Sequence, residues 1–147
     1  VDMKKILSQS TAYQSIVEQF EDIRRKHRNT FTKQEDVIRD EESNLLKQKN
    51  IISKEAYADK VKQLNQKINE LKSKQASDAK KFENDFEKST NKIQGALVDV
   101  LSMIAGKKGL DLVLAKSQVL LVGKEIDITD QAVQELNKVL PKISLKK

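Results

Sequence analysis

Few side chains in this 147-residue chain could support catalysis. It has one histidine, His27, no cysteine and no glycine-rich loop of the kind that holds phosphate. No second ligand lies three or four residues from His27, so we expect it to pack rather than bind a metal. The acidic run 35–42 could suggest a metal site, but such runs are more typical of a solvated helix face. The sequence predicts a protein that is not an enzyme and uses no cofactor or metal.

Basic residues form a more informative pattern. Residues 24–33 contain five basic residues and no acid, and residues 72–81 contain four basic residues and one acid. If these segments face each other, they form a belt with an excess of eight positive charges, larger than the net charge of +6 for the whole chain. Such a field could steer anionic partners. We call this set the basic belt; its members are Arg24, Arg25, Lys26, Arg28, Lys33, Lys72, Lys74, Lys80 and Lys81.

The alternative interpretation of the belt is an ordinary solvated surface, because long helices carry lysine for solubility alone. Lysines also recur at seven-residue spacing from Lys60 through Lys67, Lys74 and Lys81 to Lys88. We expect Lys60 and Lys67 to pair with acids on a facing helix. Lys74 and Lys81 have mainly basic neighbours in the predicted register, so they are the better candidates for contact with an anionic partner.

Two long amphipathic helices must position the belt. Apolar residues from Ile16 to Ile52 recur at spacings of three and four, which predicts one narrow apolar stripe. The segment 11–14 has the form of a capping box, with the hydroxyl of Thr11 as the cap. Ser53 can cap a second helix, which should stop within the segment 106–109 because of its two glycines.

The second helix repeats the apolar stripe, so the two helices should form a long antiparallel hairpin. With a tip near residues 51–54, Phe20 faces Phe86 and Ile38 faces Ile68. We expect residues 21–94 to form this coiled-coil arm and the fold to be mainly α. The seam should pack most weakly beside the belt, where polar or small residues replace larger apolar ones: His27, Gln34, Gln75 and Ala79.

The pattern changes after Gly109. Short apolar and β-branched runs predict strands near 110–114 and 119–123, and an Asp-Ile-Thr-Asp segment should open a helix over 129–140. So small a core is marginal alone, as is an isolated two-stranded hairpin. We therefore expect residues 1–20 and 95–147 to form a small mixed α/β oligomerisation body. The residues expected to build it are Leu110, Leu112, Leu114, Val119, Leu121 and Ile128.

Three stretches together resemble the Skp (OmpH-like) family. They are Val1-Asp2-Met3 leading into a helix, the tip Ile52-Ser53-Lys54-Glu55-Ala56-Tyr57, and the ending that runs from Gly109-Leu110-Asp111-Leu112 through Asp127-Ile128-Thr129 to Leu136-Asn137. The resemblance implies a jellyfish-like homotrimer, in which a β-rich body carries three helical arms around a cavity. In the family a first strand ends where this chain begins, so Val1-Asp2 would be its last residues.

The same resemblance implies an ATP-independent periplasmic holdase chaperone that binds unfolded outer-membrane proteins and prevents their aggregation, with its signal peptide removed. The belt adds an anionic membrane surface or lipopolysaccharide as a further partner. An isoelectric point near 9.4 also allows a basic coiled coil that binds nucleic acid or acts as a scaffold. The chain lacks the aromatic stacking platforms expected of nucleic-acid binders, so nucleic acid is not the predicted partner.

Overall fold

The structure, a computed structural model, describes residues 1–145. It is mainly helical, as predicted, and no strand forms among the described residues. A single 3-10 turn, Lys116–Gln118, interrupts the stretch between the last two helices. The α-helices of the described chain are α1 (Met3–Gln9), α2 (Thr11–Gln48), α3 (Lys54–Lys108) and α4 (Thr129–Val139).

Helix α2 begins at Thr11, as the sequence predicts, but a different side chain caps it. The hydroxyl of Ser10 accepts the Tyr13 backbone N–H at 3.3 Å. The Thr11 hydroxyl instead lies 3.3 Å from Oδ1 of Asn137, which also accepts the Thr11 backbone N–H at 2.9 Å. The expectation that Thr11 is the cap is therefore wrong, because a tertiary contact with α4 takes its side chain. Ser10 lies at the break between α1 and α2, where it is fully buried.

Both ends of α3 follow the predicted signals. The hydroxyl of Ser53 accepts the Ala56 backbone N–H at 3.1 Å, which caps the helix directly after the reversal. At the other end, Gly109 adopts a left-handed φ of 65°, and the Leu110 backbone N–H closes the helix onto the Ala105 carbonyl at 2.9 Å. An αL glycine of this kind ends helices without a Cβ penalty. The chain therefore leaves α3 at the predicted glycine.

The chain divides into two compact units. Residues 1–21 and 84–145 form the first, which we call the terminal unit, and residues 22–83 form the second, the hairpin unit. In the terminal unit the rings of Phe20 and Phe86 meet edge to face at 5.1 Å, so the predicted register is confirmed for that pair. The most deeply buried apolar residues of the described terminal unit are Ile6, Ala12, Ile16, Ile93, Leu97, Val100, Ile104, Ala132 and Leu136.

The hairpin unit contains the reversal between α2 and α3. The Gln48 carbonyl accepts the backbone N–H of Ile51 at 2.9 Å and of Ile52 at 3.2 Å, which turns the chain at the predicted tip. Phe31, Leu45 and Leu64 are buried along the seam between the two helices. This narrow apolar seam leaves most of the surface of each helix to solvent.

The predicted strands near 110–114 and 119–123 do not form in the described chain. Strand backbone must find a ladder partner for its N–H and C=O groups. Here only Val1 supplies one: its amino group donates to the Leu114 carbonyl at 2.9 Å, and its carbonyl accepts the Lys116 N–H at 2.7 Å. The strands predicted for the mixed α/β body are therefore wrong for the described chain, because a single bridge does not make a sheet. The helix predicted over 129–140 is present as α4.

Candidate functional site

An exposed apolar segment lies between α3 and α4 in the terminal unit. Leu112, Leu120 and Leu121 are 70%, 101% and 92% exposed, and Ile126 is 73% exposed. Isolated exposed leucines are normal, but several within one short segment mark a surface that is suited to contact. The sequence predicts this segment as the assembly surface, and the structure leaves its side chains accessible.

The six residues predicted to build the oligomerisation body fall into two groups. Leu110, Leu112, Leu114 and Leu121 are exposed and Val119 is partly exposed. Ile128 is only 8% exposed, so it contributes to the core of the terminal unit rather than to an open surface. A cavity of 480 Å³ opens beside the segment and is lined mainly by apolar side chains, among which are Val1, Leu112, Leu114, Val119, Leu121 and Val122.

The start of α4 ties this segment to the N-terminus. A carboxylate oxygen of Asp127 accepts both the backbone N–H of Thr129, at 3.0 Å, and its hydroxyl. The Thr129 hydroxyl in turn accepts the Asp2 backbone N–H at 2.8 Å. The bond from the Thr129 hydroxyl, followed by that from its backbone, lowers the pKa of Asp127 below its ordinary value. Lys5 donates to Asp130 at 2.6 Å, and this bond raises the pKa of Lys5.

The basic belt lies wholly in the hairpin unit, and all nine of its side chains are exposed. A cross-helix contact joins its two segments: Nδ1 of His27 lies 3.4 Å from Oδ2 of Asp78. The two basic segments therefore do face each other, as the register predicts. Because the belt residues stay in solvent, their charges act at the surface and are screened by salt.

Two belt residues have acidic partners. Arg25 pairs with Asp22 at 2.7 Å, and Lys74 pairs with Asp78 at 3.0 Å, one helical turn away. The sequence predicts mainly basic neighbours for Lys74, but the acidic Asp78 on its own helix pairs with it. Lys81 forms no ion pair among the described residues. Its contact with an anionic partner stays a prediction.

The lysines nearer the tip behave as the seven-residue spacing suggests, with one difference. Lys67 pairs with Glu41 on the facing helix at 2.8 Å, as predicted. Lys60 instead donates to the side-chain carbonyl of Gln48 at 2.7 Å, so the prediction of an acidic partner for Lys60 is wrong. Both contacts cross from α3 to α2 and fix the local register of the hairpin.

His27 occupies the seam beside the belt. Its ring stands edge to face on Phe82, with a centroid distance of 4.6 Å, and lies 6.2 Å from Phe31. These contacts give His27 the packing role that the sequence predicts. Within residues 1–145, no three His, Cys, Asp or Glu side chains are grouped closely enough to hold a metal ion.

The sequence reasoning missed a groove in the hairpin unit. It has a volume of 510 Å³, and its lining includes the apolar side chains of Val37, Ile38 and Leu71. Lys33 and Lys74 of the belt also line it, together with Glu41, Glu70 and Lys67. Gln34 in the seam and the exposed Val37 beside Ile38 were the available signals, since a polar residue in an apolar stripe leaves a gap.

These features define a class of protein: two long helices folded back on each other, with an exposed apolar segment on one unit and a basic belt on the other. The sequence profile of the family described as "Outer membrane protein (OmpH-like)" matches residues 1–136. The chain belongs to this OmpH-like family.

Comparison with solved structures and curated proteins adds to this assignment. The crystal structure of a proposed outer membrane chaperone (OmpH-like) from Caulobacter crescentus CB15 has the same fold, with a TM-score of 0.92. The match covers 99% of this chain and 86% of that chain at 17% identity, which supports the fold alone. No curated protein matches the chain. No helix among the described residues is long and apolar enough to cross a membrane.

Proposed function

We propose that this chain is an ATP-independent holdase chaperone of the periplasm that binds unfolded outer-membrane proteins and prevents their aggregation. The observation that carries the proposal is the match of the OmpH-like family over residues 1–136. The protein of similar fold from Caulobacter crescentus bears the description of a proposed outer membrane chaperone, which agrees with this role.

The exposed segment of the terminal unit supports assembly. Its leucines are open to solvent, and among the described residues Val1 alone bonds its backbone in the manner of a neighbouring strand. Pairing between copies would cover the leucines and supply backbone partners, since unpaired extended backbone is a template for another chain. We therefore assign the terminal unit as the oligomerisation body of a homotrimer and the hairpin unit as one arm of a jellyfish-like assembly.

A holdase needs many weak contacts rather than one specific site. The apolar groove at Val37 and Leu71 can contact apolar client segments, and the belt around it can contact acidic ones. Neither contact requires nucleotide, because release follows when the client reaches a better site. The exposed belt also suits an anionic membrane surface or lipopolysaccharide.

Nucleic acid is the second candidate because of the same exposed belt. Phe20 and Phe86 are packed against each other, and Phe82 packs on His27, so these rings are not free to stack on bases. Protein clients therefore fit the surface better than single-stranded nucleic acid does.

Light scattering tests the proposed function. An unfolded β-barrel membrane protein is diluted from denaturant in the presence of one trimer per client, with and without ATP. We expect scattering to be suppressed to the same extent in both cases. Full aggregation at this ratio, or suppression only with ATP, contradicts the proposal.

A further inference from the structure

The tail that follows α4 lies on α2 through its backbone. The backbone N–H of Ile143 donates to the Ser15 hydroxyl at 3.3 Å, and its carbonyl accepts from the Gln19 side-chain amide at 2.7 Å. The backbone N–H of Leu145 donates to Oε1 of Gln19 at 3.1 Å. One glutamine thus holds a donor and an acceptor of the tail, two residues apart, as an adjacent β-strand would.

Bonds within α2 hold the side chains of Ser15 and Gln19 in place against the tail. The Ser15 hydroxyl donates to the Ala12 carbonyl at 2.8 Å, with the Ile143 carbonyl as a longer second acceptor at 3.4 Å, and its oxygen accepts the Ile143 N–H. The second N–H of the Gln19 amide donates to the Ser15 carbonyl at 2.9 Å, which fixes the orientation of the amide. Bonds within α2 thus help to hold the acceptors and the donor in orientation, and orientation of this kind lowers the cost of binding an extended segment.

Only one side chain of the described tail is buried where the tail contacts Ser15 and Gln19. Ile143 is 6% exposed, whereas Ser144 points to solvent and Leu145 is half-buried. This alternation is that of an extended segment with one buried anchor. The hydrogen bonds from Ser15 and Gln19 to the tail all use its backbone atoms, which every residue offers except for the N–H that proline lacks.

We propose that Ser15 and Gln19 form a binding seat for extended segments with a branched apolar anchor, and that the chain's own tail occupies this seat until an unfolded client displaces it. Recognition of backbone plus one apolar side chain is the selectivity that a binder of unfolded chains of varied sequence needs. The inference rests on the proposed function, because it identifies the client feature that the terminal unit contacts.

A tethered tail competes at millimolar effective concentration, so a free peptide binds the unaltered chain weakly. The test uses the full chain with Ile143→Asp, which expels the anchor, and a fluorescent peptide with the sequence of residues 139–145. We expect this variant to bind the peptide at least about tenfold more tightly than the parent does, because the competing tail is gone. Adding Gln19→Leu to Ile143→Asp should abolish binding.

A second variant guards against loss of folding in Ile143→Asp. Leu145→Pro removes one backbone donor and leaves the buried anchor unchanged, and it should tighten peptide binding by a smaller factor. As a control on the peptide, replacing its isoleucine by serine should remove binding to both variants. No binding of the peptide to either folded variant at millimolar concentration overturns the seat.

The seat and the proposed function can fail separately. If both variants suppress client aggregation but neither binds the peptide, the tail is only a structural segment and the inference is wrong. If the peptide binds as expected while the parent fails to suppress aggregation, the seat stands as a peptide site and the holdase role is wrong.

Discussion

At the scale of single residues, the best-defined network joins Asp127, Thr129 and Asp2. The pKa of Asp127 is lowered chiefly by the hydrogen bond from the Thr129 hydroxyl. A carboxylate with a lowered pKa in the folded state contributes stability that is present above its unfolded pKa and lost as the pH falls through its folded pKa. The start of α4 should therefore weaken in acid.

The variant Asp127→Asn tests this charge while it keeps an acceptor oxygen. At pH 7 we expect its melting temperature to lie about 2–4 °C below that of the parent, as for a weakened helix cap. The difference should shrink as the pH falls below the ordinary carboxyl pKa of about 4 and vanish once the parent carboxyl is also protonated. Far-ultraviolet circular dichroism at a series of pH values measures it, with the exposed Asp111→Asn as the control. A gap that stays constant with pH would show that the charge contributes nothing.

Phe86 packs against two aromatic rings of the terminal unit. Its ring contacts Phe20 at 5.1 Å and Tyr13 at 6.4 Å, both edge to face. Phe86→Ala should lower the free energy of unfolding by about 2–3 kcal/mol, because it removes a packed ring and both aromatic contacts. Urea unfolding measures the loss. Val98→Ala, at a site that is 61% exposed, is the matched control and should change stability by less than about 0.5 kcal/mol. Equal effects of the two substitutions would show that the ring of Phe86 does not stabilise the terminal unit.

At the scale of elements, the helices and their turns could be predicted from local signals. Ser53 and Gly109 act within a few residues of the chain, and the apolar stripe fixes which faces meet. The cap of α2 was predicted incorrectly because Asn137 takes the Thr11 side chain. The ion pair of Lys74 with Asp78 on its own helix was not predicted. Contacts between distant parts of the chain, such as the tail on Gln19, leave no local sequence signal.

The predicted strands fail to form for another reason. Their sequence is β-like, but a strand exists only with a partner, and one chain provides a single bridge at Val1. The apolar segment is therefore predicted to order against other copies of the chain. The strand prediction is wrong for the described chain.

Assembly through this segment can be broken by charge. Leu112→Asp combined with Leu121→Asp should shift the sedimentation coefficient from that of a trimer to that of a monomer, because carboxylates would be buried without partners. Leu46→Asp, at a site 67% exposed on α2, is the matched control and should remain trimeric. A trimer that survives the double substitution would place the interface elsewhere.

The basic belt can be tested by a charge-matched pair of variants. Replacing Arg28, Lys33, Lys80 and Lys81 by Glu should reduce binding to vesicles containing anionic lipid and remove its salt dependence. Glutamate keeps the helices intact because it is a good helix former. The control replaces Lys47, Lys49, Lys54 and Lys62 near the tip, which changes the net charge equally. If both variants lose the same binding, only overall charge matters and the belt is a solvated surface.

In the proposed function the whole molecule acts as an oligomer of this chain. In this proposal the terminal unit supplies assembly and, through Ser15 and Gln19, one client contact. The hairpin unit supplies the other client contacts. A monomer would lack the enclosure between arms that keeps one client away from another. The trimer and the retention of clients should therefore be lost together.

Sedimentation of a fluorescent unfolded β-barrel membrane protein with this chain tests that claim most directly. For the parent we predict that the client stays soluble and sediments with the mass of one client and three chains. With Leu112→Asp and Leu121→Asp the client should pellet, although the helices remain. Soluble client bound to single chains of the parent, or client that pellets despite an intact parent trimer, would contradict the account.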